Sequence, residues 1–596
     1  MCGIAGIFAY SGDAPPADRA TLLRMHEVLA PRGPDGEGVD LFERDRLALA
    51  HRRLSIIDLS AAGAQPMATS DGRYRIVFNG EIYNFRELRA GLEAGGVQFV
   101  SHSDTEVLLH LYAKHGPDMV SRLRGMFAFA IWDGPRHGLF LARDPYGIKP
   151  LYYADDGGTL RFASQVRALV ASGGVDTSPE PAGHAGYFLW GYVPEPWTLY
   201  RGIRALPSGG SLWVDSSGHG EPRRWFDLSV TLREAVPAPF DAGALNEAIA
   251  DSVRHHLVAD VPVGVFLSAG LDSATMASHA AAIEGQDLRT VTLGFDAFRD
   301  GPGDETPFAE AIARHFGTLH ETRWIDRSDF EAESGRLFAA MDQPSIDGVN
   351  TYFVARATRA AGLKVAISGL GGDELFGGYA SFREVPRLVR TLAPFRLLPG
   401  LGTALRVVSA PLLRRFTSPK WAGLIEYGAH WGDAYILRRG LFMPWELPEV
   451  MDPDMARAGW TALDERARLK AATDGLATAR QKLVALESAW YMRNQLLRDS
   501  DWAGMAHSLE IRVPLVDSVL LSRVAPMLAG ARPPTKRDMA LSAPTRLPDA
   551  VLDRPKTGFS VPVREWLQGE GDPPTGTLEY GYRGWARFVH GRATGR

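Results

Sequence analysis

One cysteine in 596 residues, Cys2 in Met1-Cys2-Gly3-Ile4-Ala5-Gly6-Ile7-Phe8, means that this chain can hold no intrachain disulfide and must draw its stability from buried apolar surface. A lone thiol fits a reducing compartment. Loss of the initiator methionine would put the thiol on the first residue, beside an α-amine titrating near ~8 that can take the proton of a thiol titrating near ~8.5. Taken alone, Cys2 fits such a nucleophile and an incidental second-position cysteine equally well. No basic segment precedes it, Gly12-Asp13 interrupts the first apolar run, and no run reaches the ~18 apolar residues of a membrane span. The expectation is a cytoplasmic protein. With 23% charged residues and a net charge of −5, the chain as a whole offers no footprint for nucleic acid or an anionic membrane.

The first half alternates short β-type runs with turns. Arg73 to Phe78 alternates polar with apolar ahead of Asn79-Gly80, and Leu139–Ala142 and Leu151–Tyr153 flank the turn Asp144-Pro145-Tyr146-Gly147. A helical pattern surrounds Glu106 to Tyr112, so a layered α+β unit is expected. Near 216–240 the pattern dissolves into Ser216-Ser217-Gly218-His219-Gly220 and Val236-Pro237-Ala238-Pro239, which reads as a linker between a unit at 1–215 and another at 241–596. Leu245, Ile249, Val253 and Leu257 then recur at i+4 and predict a helix.

That helix leads to a second chemical motif. Val263–Leu267 reads as a strand, Ser268-Ala269-Gly270-Leu271-Asp272-Ser273 as a small-residue loop, and Ala274–Ala280 as a helix. Such a loop aims backbone N–H groups and the positive end of a helix dipole at a phosphate, although no Lys-Ser or Lys-Thr closes a Walker pattern. Asp272 could serve as a hard oxygen ligand for Mg2+ bound to phosphates. The alternative is a serine-rich, capped strand-to-helix turn.

In chain order, Cys2-Gly3-Ile4, Arg32-Gly33-Pro34-Asp35, His51 to Asp58, Asn79-Gly80-Glu81-Ile82-Tyr83-Asn84 and Gly125 to Phe129 resemble the glutaminase half of glutamine-hydrolysing asparagine synthetases. Ser268 to Ser273, Ser368 to Tyr379, Glu510 to Asp517 and Arg554-Pro555-Lys556-Thr557-Gly558-Phe559 resemble the synthetase half. The resemblance implies an αββα N-terminal-nucleophile sandwich followed by an α/β adenine-nucleotide α-hydrolase (ATP-pyrophosphatase) domain. For the first, it implies Cys2 as nucleophile, Asn79 and Gly80 as oxyanion donors, and Arg53, Asn79, Glu81 and Asp104 around glutamine. For the second, it implies Leu267, Ser268, Gly270, Asp272, Ser273, Leu293, Ser368 and Gly369 around ATP and pyrophosphate, Asp272 and Asp373 on Mg2+, and Lys536 at the acyl-adenylate. Arg554 and Lys556 read as structural. The implied partners are small molecules (glutamine, ATP and a carboxylate acceptor, aspartate first among them), with no nucleic acid and no membrane, and the family admits a homodimer.

Four positions depart from the commonest pattern. Ala269 fills a glycine place, tolerable at negative φ and costly otherwise. Pro31 stands where a histidine is usual, Leu370 where a glutamate is usual, and Gln343 replaces an acidic residue. The implied reaction converts L-aspartate, glutamine and ATP to asparagine, glutamate, AMP and pyrophosphate. The alternatives are the same chemistry on a uronic acid of a surface polysaccharide or a natural-product acid, and a regulatory homologue without activity.

Overall fold

A computed structural model of the chain describes residues 2–301, 303–398, 400–413, 418–554, 566 and 581–595. Residues 3–224 build two antiparallel sheets. The first runs Arg204–Ala205, Tyr152–Asp155, Leu160–Ala163, Gly3–Phe8, Leu47–Arg53, Gly36–Phe42 in spatial order, and the second Gly218–His219, Gly210–Asp215, Gly138–Arg143, Gly125–Asp133, Tyr74–Ile82, Met67–Ala68. The strand Gly3–Phe8 explains how they stack. All six of its residues are buried, and the two-residue period sends Ile4 and Phe8 into the core between the sheets with Trp132 and Leu141. Ala5 and Ile7 go the other way, against Leu22, Met25 and Leu169 of the covering helices. On the far side Phe78, Phe127 and Phe129 of the second sheet pack on Val107, Leu108 and Leu111. The result is the expected αββα sandwich. The strand also needs Gly6, because a Cβ there would stand 2.3 Å from the Phe162 ring.

The helix expected around 106–112 spans Asp104–His115, with the Ser103 side chain accepting the Thr105 N–H at its start. The segment expected as a linker is more ordered than its composition suggests. Gly218–His219 and Arg223–Arg224 pair with Gly210–Asp215, and Leu228–Glu234 is a helix whose Leu228 and Leu232 enter the core of the second half. An edge strand in need of partners and two apolar side chains outweigh the polar turn residues.

The helix predicted from Leu245 onward spans Ala242–His256. Behind it lies a five-stranded parallel sheet in the order Leu319–Ile325, Arg289–Phe295, Val263–Phe266, Val365–Ile367, Glu510–Arg512. The chain lays its first three strands outward in one direction and then returns to the other side of Val263–Phe266. The topological switch point therefore falls between Val263–Phe266 and Val365–Ile367, where open α/β sheets collect ligands.

Buried charges lock the two halves together. Arg32 forks onto Asp501 at 2.8 and 3.0 Å, and Arg124 reaches Asp517 and Asp251, each at 2.8 Å. Asp501→Ala is expected to cost about 3–5 kcal/mol, because it strands a buried guanidinium. A thermal or urea melt of the full chain checks this, and a change below about 1 kcal/mol would contradict it.

Candidate active site

Cys2 sits at the start of the central strand of the first sheet and is buried. Its backbone N–H, the atom that becomes the α-amine once Met1 is removed, donates to Asn79 Oδ1 at 3.0 Å, and Arg32 Nε donates to its carbonyl at 3.0 Å. The other end of Asn79, Nδ2, is buried and has no hydrogen-bond partner among the described residues. An amide donor held unsatisfied beside a thiol is what an oxyanion site requires. Gly80, next on the strand, has φ +155°, and a Cβ there would stand 2.2 Å from the Met126 carbonyl oxygen, so the backbone comes this close only as glycine. Burial pushes the Cys2 thiol up, opposed by a backbone hydrogen bond at Leu54 and by the Arg53 guanidinium nearby.

Arg53 donates to the carbonyls of Ser60, at 2.8 Å, and Asp58, which leaves part of its five-donor fork for a carboxylate. Asp104 accepts the Ile82 N–H at 3.0 Å, and burial lifts its carboxyl to about 6. Glu81 is buried too, and burial, with Glu510 adding, raises it well above the usual range. Its Oε2 lies 3.5 Å from Arg512. Burial would raise Glu510 as well, but Arg512 at 2.6 Å outweighs it and holds that carboxyl at about 2. Arg512 touches both halves, its guanidinium beside Glu81 of the first and its carbonyl accepting the Ser368 N–H of the second at 2.8 Å. Glu510-Ile511-Arg512 is visible as a motif in the sequence, but only the fold brings its side chains to Glu81.

Across the switch point the two serine loops meet. Ser268 leaves the end of Val263–Phe266 and Ser368 the end of Val365–Ile367. Ser268 Oγ and Ser273 Oγ lie 2.9 Å apart, and Ser268 Oγ accepts the Gly270 N–H at 3.2 Å. The helix Leu271–Glu284 begins without a side-chain cap, which keeps its first N–H groups open to an anion. Ala269 is not among the residues with positive φ, so the methyl carries no backbone penalty. Lys536, on the helix Lys536–Leu541, bonds Asp272 Oδ2 at 2.8 Å and Asp373 Oδ1 at 2.6 Å. Burial would lower the Lys536 ammonium, but the two carboxylates outweigh it and hold it above its usual value. Gly378 makes room for this triad, because a Cβ there would overlap Asp373 Oδ1.

Among the described residues no three His, Cys, Asp or Glu side chains are grouped to hold a metal. Asp272 and Asp373 nevertheless converge on one cation, and two carboxylate oxygens suit Mg2+, which takes its other ligands from phosphates and water. Leu267 and Leu293 are buried in apolar cores. Gly369 packs on Asp272, a Cβ there being 2.8 Å from it. Arg554 pairs with Glu305 at 3.4 Å, whereas Pro555 to Phe559 lie outside the described residues.

The unusual positions separate. Gln343 is buried away from the loops, its Oε1 accepting the Leu199 N–H at 3.2 Å, and Pro31 accepts the Ser508 hydroxyl at its carbonyl. Leu370 is half-buried against the apolar core of the second half, its N–H on Ser368 Oγ at 3.3 Å. Four residues on, Glu374 is buried and accepts the Tyr379 hydroxyl at 2.8 Å. Burial and the adjacent Asp373 push its carboxyl up to about 7, an environment that composition gave no hint of.

An N-terminal-nucleophile sandwich carrying a buried thiol, joined to a parallel sheet with a lysine–aspartate cluster at its switch point, defines a two-site enzyme of the amidotransferase–synthetase class. Residues 1–226 match the glutamine amidotransferase domain family and residues 244–573 the asparagine synthase family. The chain belongs to the glutamine-hydrolysing asparagine synthetase family. It is 33% identical over 587 residues to asparagine synthetase [glutamine-hydrolyzing] 1 of Bacillus subtilis, covering 96% of this chain and 88% of that protein. It is 36% identical to the putative asparagine synthetase of Mycobacterium bovis, covering 95% and 88%. The amidase chyE of Penicillium rubens is 31% identical over 64% of this chain and 60% of its own length. The solved glutamine phosphoribosylpyrophosphate amidotransferase from B. subtilis overlaps 64% of this chain and 77% of its own at 17% identity and a TM-score of 0.28, too faint a likeness to carry weight.

Proposed function

We propose that the chain hydrolyses glutamine at Cys2 and uses the ammonia to amidate an acyl-adenylate made at the Ser268 and Ser368 loops, with L-aspartate as the acid and asparagine as the product. The thiolate of Cys2 adds to the glutamine amide carbon, its α-amine having taken the proton, and Asn79 Nδ2 with Gly80 steadies the oxyanion. The amine returns that proton to the departing ammonia, and water then frees glutamate. Arg53, Glu81 and Asp104 hold the two ends of the glutamine. In the second unit, from about 241 onward, an acceptor carboxylate displaces pyrophosphate from the α-phosphorus of ATP, and ammonia then displaces AMP. Mg2+, held by Asp272 and Asp373, screens the phosphate charge when bound. Lys536, kept as an ammonium, faces the charge that develops on the adenylate. The convergence of Lys536, Asp272 and Asp373 at the switch point carries this reading.

A larger acid is the second reading, favoured by a specific feature. Leu370 brings an apolar side chain to the place of a carboxylate. A cavity of about 420 Å³ in the second half is lined by Tyr192, Asp347, Lys420, Arg439, Tyr491 and Arg583. Arg439, on the cavity wall, lies over the rings of Tyr491 and Tyr379, at 4.1 and 4.4 Å, and the Tyr379 hydroxyl donates to Glu374, so one layer of side chains joins the cavity to the Ser368 loop. Incubation with ATP, Mg2+, glutamine and aspartate, followed by mass spectrometry, tests the two readings. Asparagine, AMP and pyrophosphate in equal amounts are expected. Glutaminase activity without asparagine would turn the assignment to the larger acid.

A further inference from the structure

We propose that the helix Leu401–Leu413, with Leu397, Leu398 and Trp421, forms a monotopic docking surface for an anionic phospholipid membrane. Nearly half of the large apolar side chains exposed among the described residues fall between Leu397 and Trp421. Leu397 is 83% exposed, Val408 79%, and Val407 and Leu412 61% each. The helix is inside out for a water-facing element. Leu401, Leu405, Val408 and Leu412, spaced as one helical stripe, all face solvent, whereas the flank beside it, about 100° round the helix, holds Gly402, the one buried residue of the helix, and Arg406. Gly402 lets the helix lie against Glu426, to which a Cβ would come within 2.6 Å, and Arg406 pairs with Glu426 at 2.6 Å. The polar side is thus the anchored side, and the apolar side is left outward.

Charge selects the occupant. No Asp or Glu occurs between Glu384 and Glu426, whereas seven Arg or Lys residues do. Of these, Arg387 and Arg390 are exposed on the preceding helix Ser381–Leu392 and make no ion pair among the described residues. A second copy docking on the same face would bring like charges together. An anionic lipid surface offers the opposite sign and an apolar layer for the leucine stripe. At 13 residues the helix is too short to span a bilayer and suits lying in its interface. The net charge of −5 conceals this patch by averaging over the chain.

Co-sedimentation of the full chain with vesicles tests it. Wild-type protein is expected to pellet with phosphatidylcholine vesicles containing 30 mol% phosphatidylglycerol, less with phosphatidylcholine alone, and less again as salt rises. Leu405→Glu/Val408→Glu is expected to lower that binding about tenfold or more, and Arg387→Glu/Arg390→Glu to remove the preference for anionic lipid. Both variants alter solvent-facing side chains, so an unchanged thermal melt and glutaminase rate would show that they remain folded. Absence of vesicle binding by the wild type, or equal binding by Leu405→Glu/Val408→Glu, overturns the proposal. So does a wild-type dimer by light scattering that the same variant dissolves while vesicles go unbound, which would assign the face to a second copy.

Discussion

Cys2→Ala is expected to cut glutamine-driven product formation by on the order of 10³-fold or more, while synthesis from added ammonium salt stays within about twofold of wild type. On the proposed reading the thiol has one task, attack on the glutamine amide, and no other thiol can take its place, since the chain has no second cysteine. The substitution leaves the strand unharmed. The backbone contacts of residue 2, its N–H to Asn79 and its carbonyl to Arg32, are kept by alanine, and only the thiol's hydrogen bond at Leu54 is lost. Glutamate release and pyrophosphate release, measured in parallel with glutamine or ammonium chloride as nitrogen source, separate the two sites. Loss of the ammonium-driven rate in a folded variant would mean that the thiol region also serves the synthetase, contrary to the two-site reading.

Asp373→Asn carries the second large effect, a fall of about 10²–10³-fold in pyrophosphate release with basal glutamine hydrolysis unchanged. The shape is conserved, so the crowding of Asp373 by Gly378 is preserved. What changes is charge. One of the two carboxylates that hold Lys536 as an ammonium and that would bind Mg2+ becomes neutral, weakening the hard-oxygen pair on which phosphate screening depends. A titration of pyrophosphate release against magnesium concentration should show the variant needing far more metal, if it turns over at all. A rate near wild type at the same magnesium concentration would remove Asp373 from the site.

Both substitutions fall on residues legible before any fold was known, and the reason is local. Cys2, Asn79, Asp272 and Asp373 sit in short runs with distinctive neighbouring glycines, so the chain's order marks each as a candidate even though their partners lie far along the chain. Lys536 was legible only through the spacing of a family pattern, because its partners lie 264 and 163 residues away. The polar segment 216–240 is more ordered than its composition suggests, because turn residues reveal where a chain bends and not whether a neighbouring edge strand recruits it.

The amino-acid order by itself gave the layered α+β reading of the first half, since two-residue and 3.6-residue apolar periods and glycine-rich turns are properties of adjacent residues, and its ordered motifs gave the family resemblance that implied the sandwich, the parallel-sheet domain and the candidate nucleophile and loops. Tertiary structure alone decided what depends on distant partners. It joined Arg32 to Asp501 across 469 positions, set Glu81 against Arg512, and raised Glu374 to about 7 by burying it beside Asp373. It also turned the leucine stripe of Leu401–Leu413 outward, which no pattern within that helix could foretell: periodicity defines an apolar face, and only packing against Glu426 determines whether that face looks inward or toward solvent.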